Sequence, residues 1–422
     1  MLDQLFVNLF NIPLQLARRV LPESAIPWLS MLLTLGVIAT IAPAIMMYLT
    51  WLERKIIARI QNRLGPNRVG IYGLAQPLAD GLKMLIKEDI VPDGADRLLH
   101  FLAPVISVVP AILLFAVLPF GRNMVATDLN VGLLYFLAVS SISSYAIFMG
   151  GWASRSKFSM LGAMRAVAQI ISYEVPSVLS VVVIIMVTGT LSTVSIVEAQ
   201  AKQWFIFTPW GFVAAAIFFM SGIAEGNRTP FDMPEAESEL VGGFHTEYSG
   251  MKFALWYMAE FLEAFAICAF TVTLFFGGWQ GPHIPVWPVF LALGLMVATA
   301  KQLVRPLRLL GLLACVGAAV ICATEPIPSW MWFLTKTYAL IFVLIWLRGT
   351  FPRLRVDQLM GFAWKFLLPV ALVNILAAGL WVALPGLPGT LLSFGLLAVS
   401  GIVLVRLNAP APLQRRTYVL VD

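Results

Sequence analysis

Glu174 stands two residues before Pro176 in the stretch MRAVAQIISYEVP, which also carries Arg165, Gln169, Ser172 and Tyr173. A charged side chain in apolar surroundings costs roughly 2.5–3.5 kcal/mol on membrane-insertion scales, so a carboxyl group there points to proton uptake and release. At about 100° per residue Arg165, Gln169 and Ser172 share a helix face, with Glu174 about half a turn away. Proline has no amide hydrogen, so the Ser172 carbonyl loses its helical partner and a kink beside a hydrated carboxylate is expected. The competing reading is a structural ion pair with an arginine from another helix.

Two further groups of carboxylates have the same character. Glu260 and Glu263 lie three residues apart in FALWYMAEFLEAFAICAF, on one face of a helix and in an otherwise apolar run. Between them and Glu174 comes an acidic stretch, AEGNRTPFDMPEAESELVGGFHTEYSGMKF. There Glu225, Asp232, Glu235, Glu237, Glu239 and Glu247 face only Arg228 and Lys252, with His245 titratable. Glu235 and Glu239 are neighbours if that stretch is helical, and their repulsion raises at least one of their pKa values. A solvated acidic face is the bland alternative. A third feature is cationic: Glu53, Arg54 and Lys55 open the block ERKIIARIQNRLGPNRVG, with Arg59, Arg63 and Arg68 behind them and Gly65-Pro66-Asn67 turning the chain. It reads either as an ordinary basic loop or as a surface that holds an acidic partner or lipid headgroups.

These residues must be positioned by elements that sit in lipid. Of 422 residues, 60% are hydrophobic and 12% charged, against about 25% charged in soluble domains, and a soluble core cannot use so much apolar sequence. An all-α polytopic membrane protein follows. Helical runs of about 20 apolar residues are needed to cross the hydrocarbon. They fall near 26–51, 98–120, 129–150, 162–188, 208–225, 252–277, 286–300, 307–324, 330–348, 364–384 and 389–408. That is nine to eleven spans, because 286–300 and 307–324 are short enough to form a re-entrant pair. Residues 71–87 set Leu74, Leu78, Leu82 and Leu85 at helical spacing away from Asp80, Lys83 and Lys87, the pattern of an amphipathic interfacial helix. The sequence shows no strand pattern and no short internal repeat.

The net charge of +6 does not point to nucleic acid, because the basic residues are confined to the connections between spans. If the spans alternate, the basic connections all share one side, and the positive-inside rule makes that side cytoplasmic, with the N-terminus outside and the C-terminus cytoplasmic. The N-terminus carries Asp3 and no basic segment before its apolar stretch, so the first span is expected to be retained. Cys268, Cys315 and Cys322 lie in apolar runs without a CxxC, too few for a cluster that needs four thiolates. No metal site is expected, and His100 and His283 are read as structural.

The blocks ERKIIARIQNRLGPNRVGIYGLAQPLADGLKMLIKEDIVP, GGWASRSKFSMLGAMRAVAQIISYEVP, NRTPFDMPEAESELVGGFHTEYSGMKFAL and FPRLRVDQLMGFAWKFLLP resemble those of the H subunits of bacterial proton-translocating NADH:quinone oxidoreductases. These are the membrane subunits of respiratory complex I beside the peripheral arm. The resemblance covers about 51–280 and 330–375. It implies a single membrane domain, with a core at about 26–280 and 330–384, an insertion at about 283–328 and an added final helix at about 389–408. Gly226 stands where the family usually has threonine, and Glu263 matches no family position.

The same resemblance implies a subunit that walls part of the quinone chamber and its lipid-facing entrance, and that couples quinone reduction to proton translocation. It implies that quinone is a substrate, with flavin mononucleotide and iron–sulfur clusters only in partner subunits. The expected partners are the peripheral arm, neighbouring membrane subunits and lipid, in the bacterial cytoplasmic membrane. Carried over by motif, the chamber or its entrance takes Glu53, Arg54, Lys55, Arg59 and Arg63 with the helix at 71–87, and Arg228 as a counter-charge within the acidic loop. Proton coupling takes Glu174, Asp232, Glu235, Glu237, Glu239, Glu247 and Glu260. The runner-up is the homologous membrane subunit of an energy-converting hydrogenase, and a secondary transporter is a distant third.

Overall fold

The computed structural model describes residues 5–18, 22–233, 242–281, 327–384 and 386–407. Among them the chain is helical throughout, with one isolated bridge between Gly121 and Met124. The helices are α1 (Leu5–Ala17), α2 (Ile26–Ile60), α3 (Gln76–Ile86), α4 (Arg97–Leu113), α5 (Gly132–Ser140), α6 (Ile142–Ala153) and α7 (Lys157–Thr188). They continue as α8 (Thr193–Ala199), α9 (Pro209–Glu225), α10 (Gly250–Phe275), α11 (Ser329–Thr350), α12 (Val356–Phe362), α13 (Leu368–Ala383) and α14 (Leu387–Leu407).

Eight helices among the described residues are long and apolar enough to cross a membrane, and Pro209–Glu225 is a shorter apolar one. These nine coincide with nine of the expected runs. The runs at 286–300 and 307–324 lie outside the described residues. The two flanks of that segment meet at one end of the bundle, where Lys336 of α11 donates to the Gln280 carbonyl at 2.8 Å.

α10 is the axis. Of its apolar window 83% is buried, against 6% for α2 and 11% for α14, whose side chains face outward as lipid-exposed helices do. α2, α4, α9 and α11 pack around α10, and α13 packs on α7 and α9. Local chemistry sets the ends: Asp96 accepts from the Leu98 and Leu99 amides to start α4, and Thr208 accepts from Gly211 ahead of Pro209 to start α9.

Two expectations change. The first span runs on to Ile60, so Glu53, Arg54, Lys55 and Arg59 sit on α2 itself and not in a loop after it. That helix continues because ERKIIARI contains no breaker before Asn62 and Gly65. The amphipathic helix is shorter than 71–87, beginning at Gln76 after a left-handed Tyr72, and its Leu78, Leu82 and Leu85 are exposed together. α7 runs as one helix through Pro176, which removes one backbone bond from its ladder.

Candidate functional site

The carboxylates gather around two small cavities that meet at α10. The first is lined by Ser140, Ser141 and Ser143 at the α5–α6 junction, Ile170 and Glu174 of α7, Glu225 of α9, and Glu263 and Ile267 of α10, with Leu114 and Phe136. Serine hydroxyls bonding back to helix carbonyls loosen a helix, and both Ser140 and Ser141 donate to the Leu137 carbonyl where α5 gives way to α6. Ser141 also donates to Glu174. Ser177 hydrogen-bonds with Glu225 and Ser143 with Glu263. Three carboxyl groups, each met by a hydroxyl, line one cavity with room for water, and groups of that kind can take up and release protons.

The second cavity is lined by Asn227, Arg228, Thr229, Asp232, Tyr257, Glu260 and Arg348. Its walls are ion pairs between distant parts of the chain. Arg228 donates to Glu53 of α2 at 3.1 Å, and its guanidinium lies 4.2 Å from the Phe261 ring centre. Arg348, at the end of α11, donates to the other Glu53 oxygen. Arg353 donates to Asp232 at 2.8 Å. Arg228 Nε and Nη2 are buried with no protein acceptor among the described residues, which leaves donors for water or a ligand oxygen.

One side chain holds the two cavities in register. Gln169 of α7 is fully buried and donates to the Ala224 carbonyl at 2.7 Å and the Phe231 carbonyl at 2.6 Å. It thus ties both ends of the turn that carries Glu225, Arg228 and Asp232 to α7. Farther along, Ser159 donates to the Phe244 carbonyl at 2.9 Å. Gly162 lets the loop come close, because a Cβ there would lie 2.8 Å from the Gly243 Cα.

Of the residues read from the sequence, Glu174 lies in the first cavity, and Asp232, Glu260 and Arg228 in the second, with Glu53 as the ion-pair partner of Arg228. Glu235, Glu237 and Glu239 lie outside the described residues. Glu247 lines neither cavity and sits near His100 and Lys252.

Several expectations are corrected. Arg228 pairs with Glu53, not with an acid of its own loop, because the turn after α9 aims it at α2. Lys252 pairs with Asp89 at 2.8 Å. Glu225 belongs to the end of α9 and the first cavity, not to the acidic loop. Glu260 and Glu263 do not act on one face: they open on different cavities. Arg54 reaches Asp80 of α3 at 2.6 Å. Burial pulls the Asp80 carboxyl up, but hydrogen bonding and charge from Arg54, with Gln76 and Lys83, outweigh it and hold the pKa below the usual value. Lys55 lies 5.9 Å from the Trp51 ring centre, while Arg59 and Arg63 are exposed on the same flank.

Sequence reasoning singled out Glu225 and Glu263 among its carboxylates but placed neither at a site, and it missed Arg348 and Arg353. The first two carried a signal, acids at or inside apolar runs. The arginines looked like ordinary positive charges between spans. Among the described residues no group of three or more His, Cys, Asp or Glu could hold a metal ion.

His245, in the loop, supplies a pH test. Burial takes its imidazole down to about 4, with Asp232 opposing part of the fall. The unfolded value is about 6.5, so between those pH values the folded loop binds fewer protons than the unfolded one. Its contribution to stability, at most about 3 kcal/mol, is whole above pH 6.5 and is lost as the pH falls toward 4. Limited proteolysis of the loop is expected to be faster at pH 5 than at pH 7.5 in the wild type, and His245→Asn should remove most of that difference. An unchanged pH dependence in the variant would rule out His245 as its source.

A family model described as NADH dehydrogenase matches residues 32–379. The chain is 44% identical over 348 residues to the NADH-quinone oxidoreductase H subunit of Dehalococcoides mccartyi, covering 82% of this chain and 86% of the relative. It is 46% identical over 345 residues to one of the NADH-quinone oxidoreductase H subunits of Geobacter metallireducens, covering 79% and 91%. To the NADH-quinone oxidoreductase H subunit of Geobacillus kaustophilus it is 44% identical over 358 residues, covering 84% and 95%.

Proposed function

The chain belongs to the NADH dehydrogenase family as a multi-pass membrane subunit of an NADH-quinone oxidoreductase complex, and from that premise we propose that its two cavities couple quinone reduction to proton movement. The second cavity, with Glu53, Arg228, Asp232, Glu260, Arg348 and Arg353, forms the inner wall of a quinone chamber. Its lipid-side entrance runs past Arg54, Lys55, Arg59, Arg63 and α3. Quinone is a substrate, the flavin and iron–sulfur clusters belong to partner subunits, and the peripheral arm seats on the basic, cytoplasmic end. Lipid surrounds α2 and α14. The domain is single, in a bacterial cytoplasmic membrane, with the N-terminus outside and the C-terminus in the cytoplasm.

One observation carries this reading. Glu260 and Glu263 stand one helical turn apart on α10, a rise of about 4.5 Å, and open on different cavities. Glu225, at the end of α9, and Arg228, in the turn after it, straddle the same boundary. A change of charge beside Arg228 on quinone reduction is therefore felt at once by Glu260 and by the cluster of Glu174, Glu225 and Glu263. The protein supplies fixed arginines that respond to the developing negative charge and carboxyl groups that take up and pass on the compensating protons.

Glu174 tests the proton role. In the purified complex, NADH-driven quinone reduction coupled to proton movement is expected to fall in the order wild type, Glu174→Asp, Glu174→Gln, with assembly retained. Asp keeps a carboxyl group but retracts it from Ser141, while Gln keeps the size and removes the titration. Full activity in Gln with failure in Asp would mean that shape matters there and charge does not.

A further inference from the structure

The end of the bundle opposite the basic loops holds a cation that the coupling scheme does not use. Lys336 of α11 is part-buried. Its ammonium donates to the Phe276 carbonyl at 2.7 Å and the Gln280 carbonyl at 2.8 Å, and it sits 4.5 Å from the Trp204 ring centre. Phe276 directly follows α10, so the lysine caps that helix end, where the backbone carbonyls lack helical partners. Among the described residues no carboxylate lies within ion-pair distance of it.

Between this cation and Glu263 the core is closely packed, with Gln200 as a buried polar side chain that donates to the Thr273 carbonyl at 2.9 Å. Every residue of α10 from Ala264 to Phe275 is buried, a length of about 20 Å from Glu263 to the lysine's level. The two threonines in that stretch turn their hydroxyls to their own helix, Thr271 to the Ile267 carbonyl and Thr273 to the Ala269 carbonyl. Phe270 and Phe275 are themselves fully buried, with Phe275 packed on Phe218 at 6.0 Å between ring centres. The carboxylate cavity is thus separated from the end opposite the basic loops by close packing, with the Lys336 ammonium at its rim.

We propose that Lys336 is an electrostatic seal, closing the end of this subunit opposite its basic loops so that protons gathered at Glu174, Glu225 and Glu263 cannot escape directly across the membrane there. The lysine acts by position and charge and takes no part in the chemistry; the proposal rests on the proton-coupling reading of that cluster. A fixed charge about 10 Å from a proton's route, at an effective dielectric of about 20, suppresses passage roughly tenfold. Pores use fixed positive charge in the same way to exclude protons.

The test uses the whole complex reconstituted in vesicles containing a pH-sensitive dye, with a potassium diffusion potential imposed and no NADH present. Lys336→Gln keeps donors for both carbonyls and removes the charge, whereas Lys336→Arg keeps the charge. The passive proton leak is expected to rise about tenfold in Gln and to stay near wild type in Arg, with NADH-driven quinone reduction retained in both. A Gln variant as tight as wild type overturns the proposal. So does failure of both variants to assemble, which would make the lysine a structural cap alone. Adding Glu263→Gln to Lys336→Gln separates the two readings. A leak that disappears supports the route through the carboxylates. A leak that persists keeps the seal and removes the carboxylate cluster from its path.

Discussion

Glu225→Gln and Glu263→Gln are each expected to lower NADH-driven quinone reduction and its coupled proton movement by roughly 10²-fold, the usual loss when a positioned proton-transfer group is removed, in a complex that still assembles. Both side chains line the cavity that also holds Glu174. Each is met by a serine, Ser177 for Glu225 and Ser143 for Glu263, and a glutamine oxygen can accept the same bond in nearly the same volume. The exchangeable proton is what the substitution takes away. Glu198→Gln is the control: it is an exposed acid on α8, and its loss should leave turnover and pumping unchanged. If either cavity variant ran at the wild-type rate with full pumping, the cluster would not be the proton route.

Glu53→Gln should be the most destabilising single change in the second cavity. Glu53 is 7% exposed and is held by two guanidiniums, Arg228 at 3.1 Å and Arg348. Removing one partner of a buried ion pair typically costs about 3–5 kcal/mol, because the remaining charge stays buried without compensation. Here Arg228 is 5% exposed and cannot turn to solvent without opening the turn after α9. Arg54→Gln, one residue along, breaks a pair with Asp80 whose arginine is half exposed, and exposed pairs contribute only about 0.2–1 kcal/mol. Thermal unfolding of the two purified variants should therefore differ widely, with Glu53→Gln falling well below wild type and Arg54→Gln staying close to it. Glu53→Asp should recover part of the loss. Equal, small shifts in both variants would show that the buried triad does not hold α2, α9 and α11 together.

The helices were legible because lipid imposes a length and a composition on them. Nine runs of apolar residues appear as nine helices, and the signature blocks pointed to the family to which the chain belongs. Pair partners were not legible. Glu53 meets Arg228 and Arg348 across 175 and 295 residues of sequence, and no local pattern marks which of the many basic residues between spans will fold back onto it. Residues three apart on a helix are usually counted as sharing a face, which put Glu260 with Glu263. Their offset is about 60° in rotation and 4.5 Å in rise, enough for the turn after α9 to insert between their surroundings and give each its own cavity. Glu225 was misread for a similar reason. It is the last residue of an apolar helix and the first of a polar stretch, and composition alone assigns it to the latter.

The order of residues was enough to establish a bundle of membrane-spanning helices and to set the acids at 174, 260 and 263 in costly surroundings. Each of these follows from a local property, apolar length or charge position, set against the cost of leaving water. Folding was needed to bring Glu174, Glu225 and Glu263 into one cavity, to give Glu53 two arginines, and to set Lys336 as a cap on α10 above twelve consecutive buried residues. Those facts depend on which helix faces which, and packing of side chains distant in sequence settles that at once for the whole bundle.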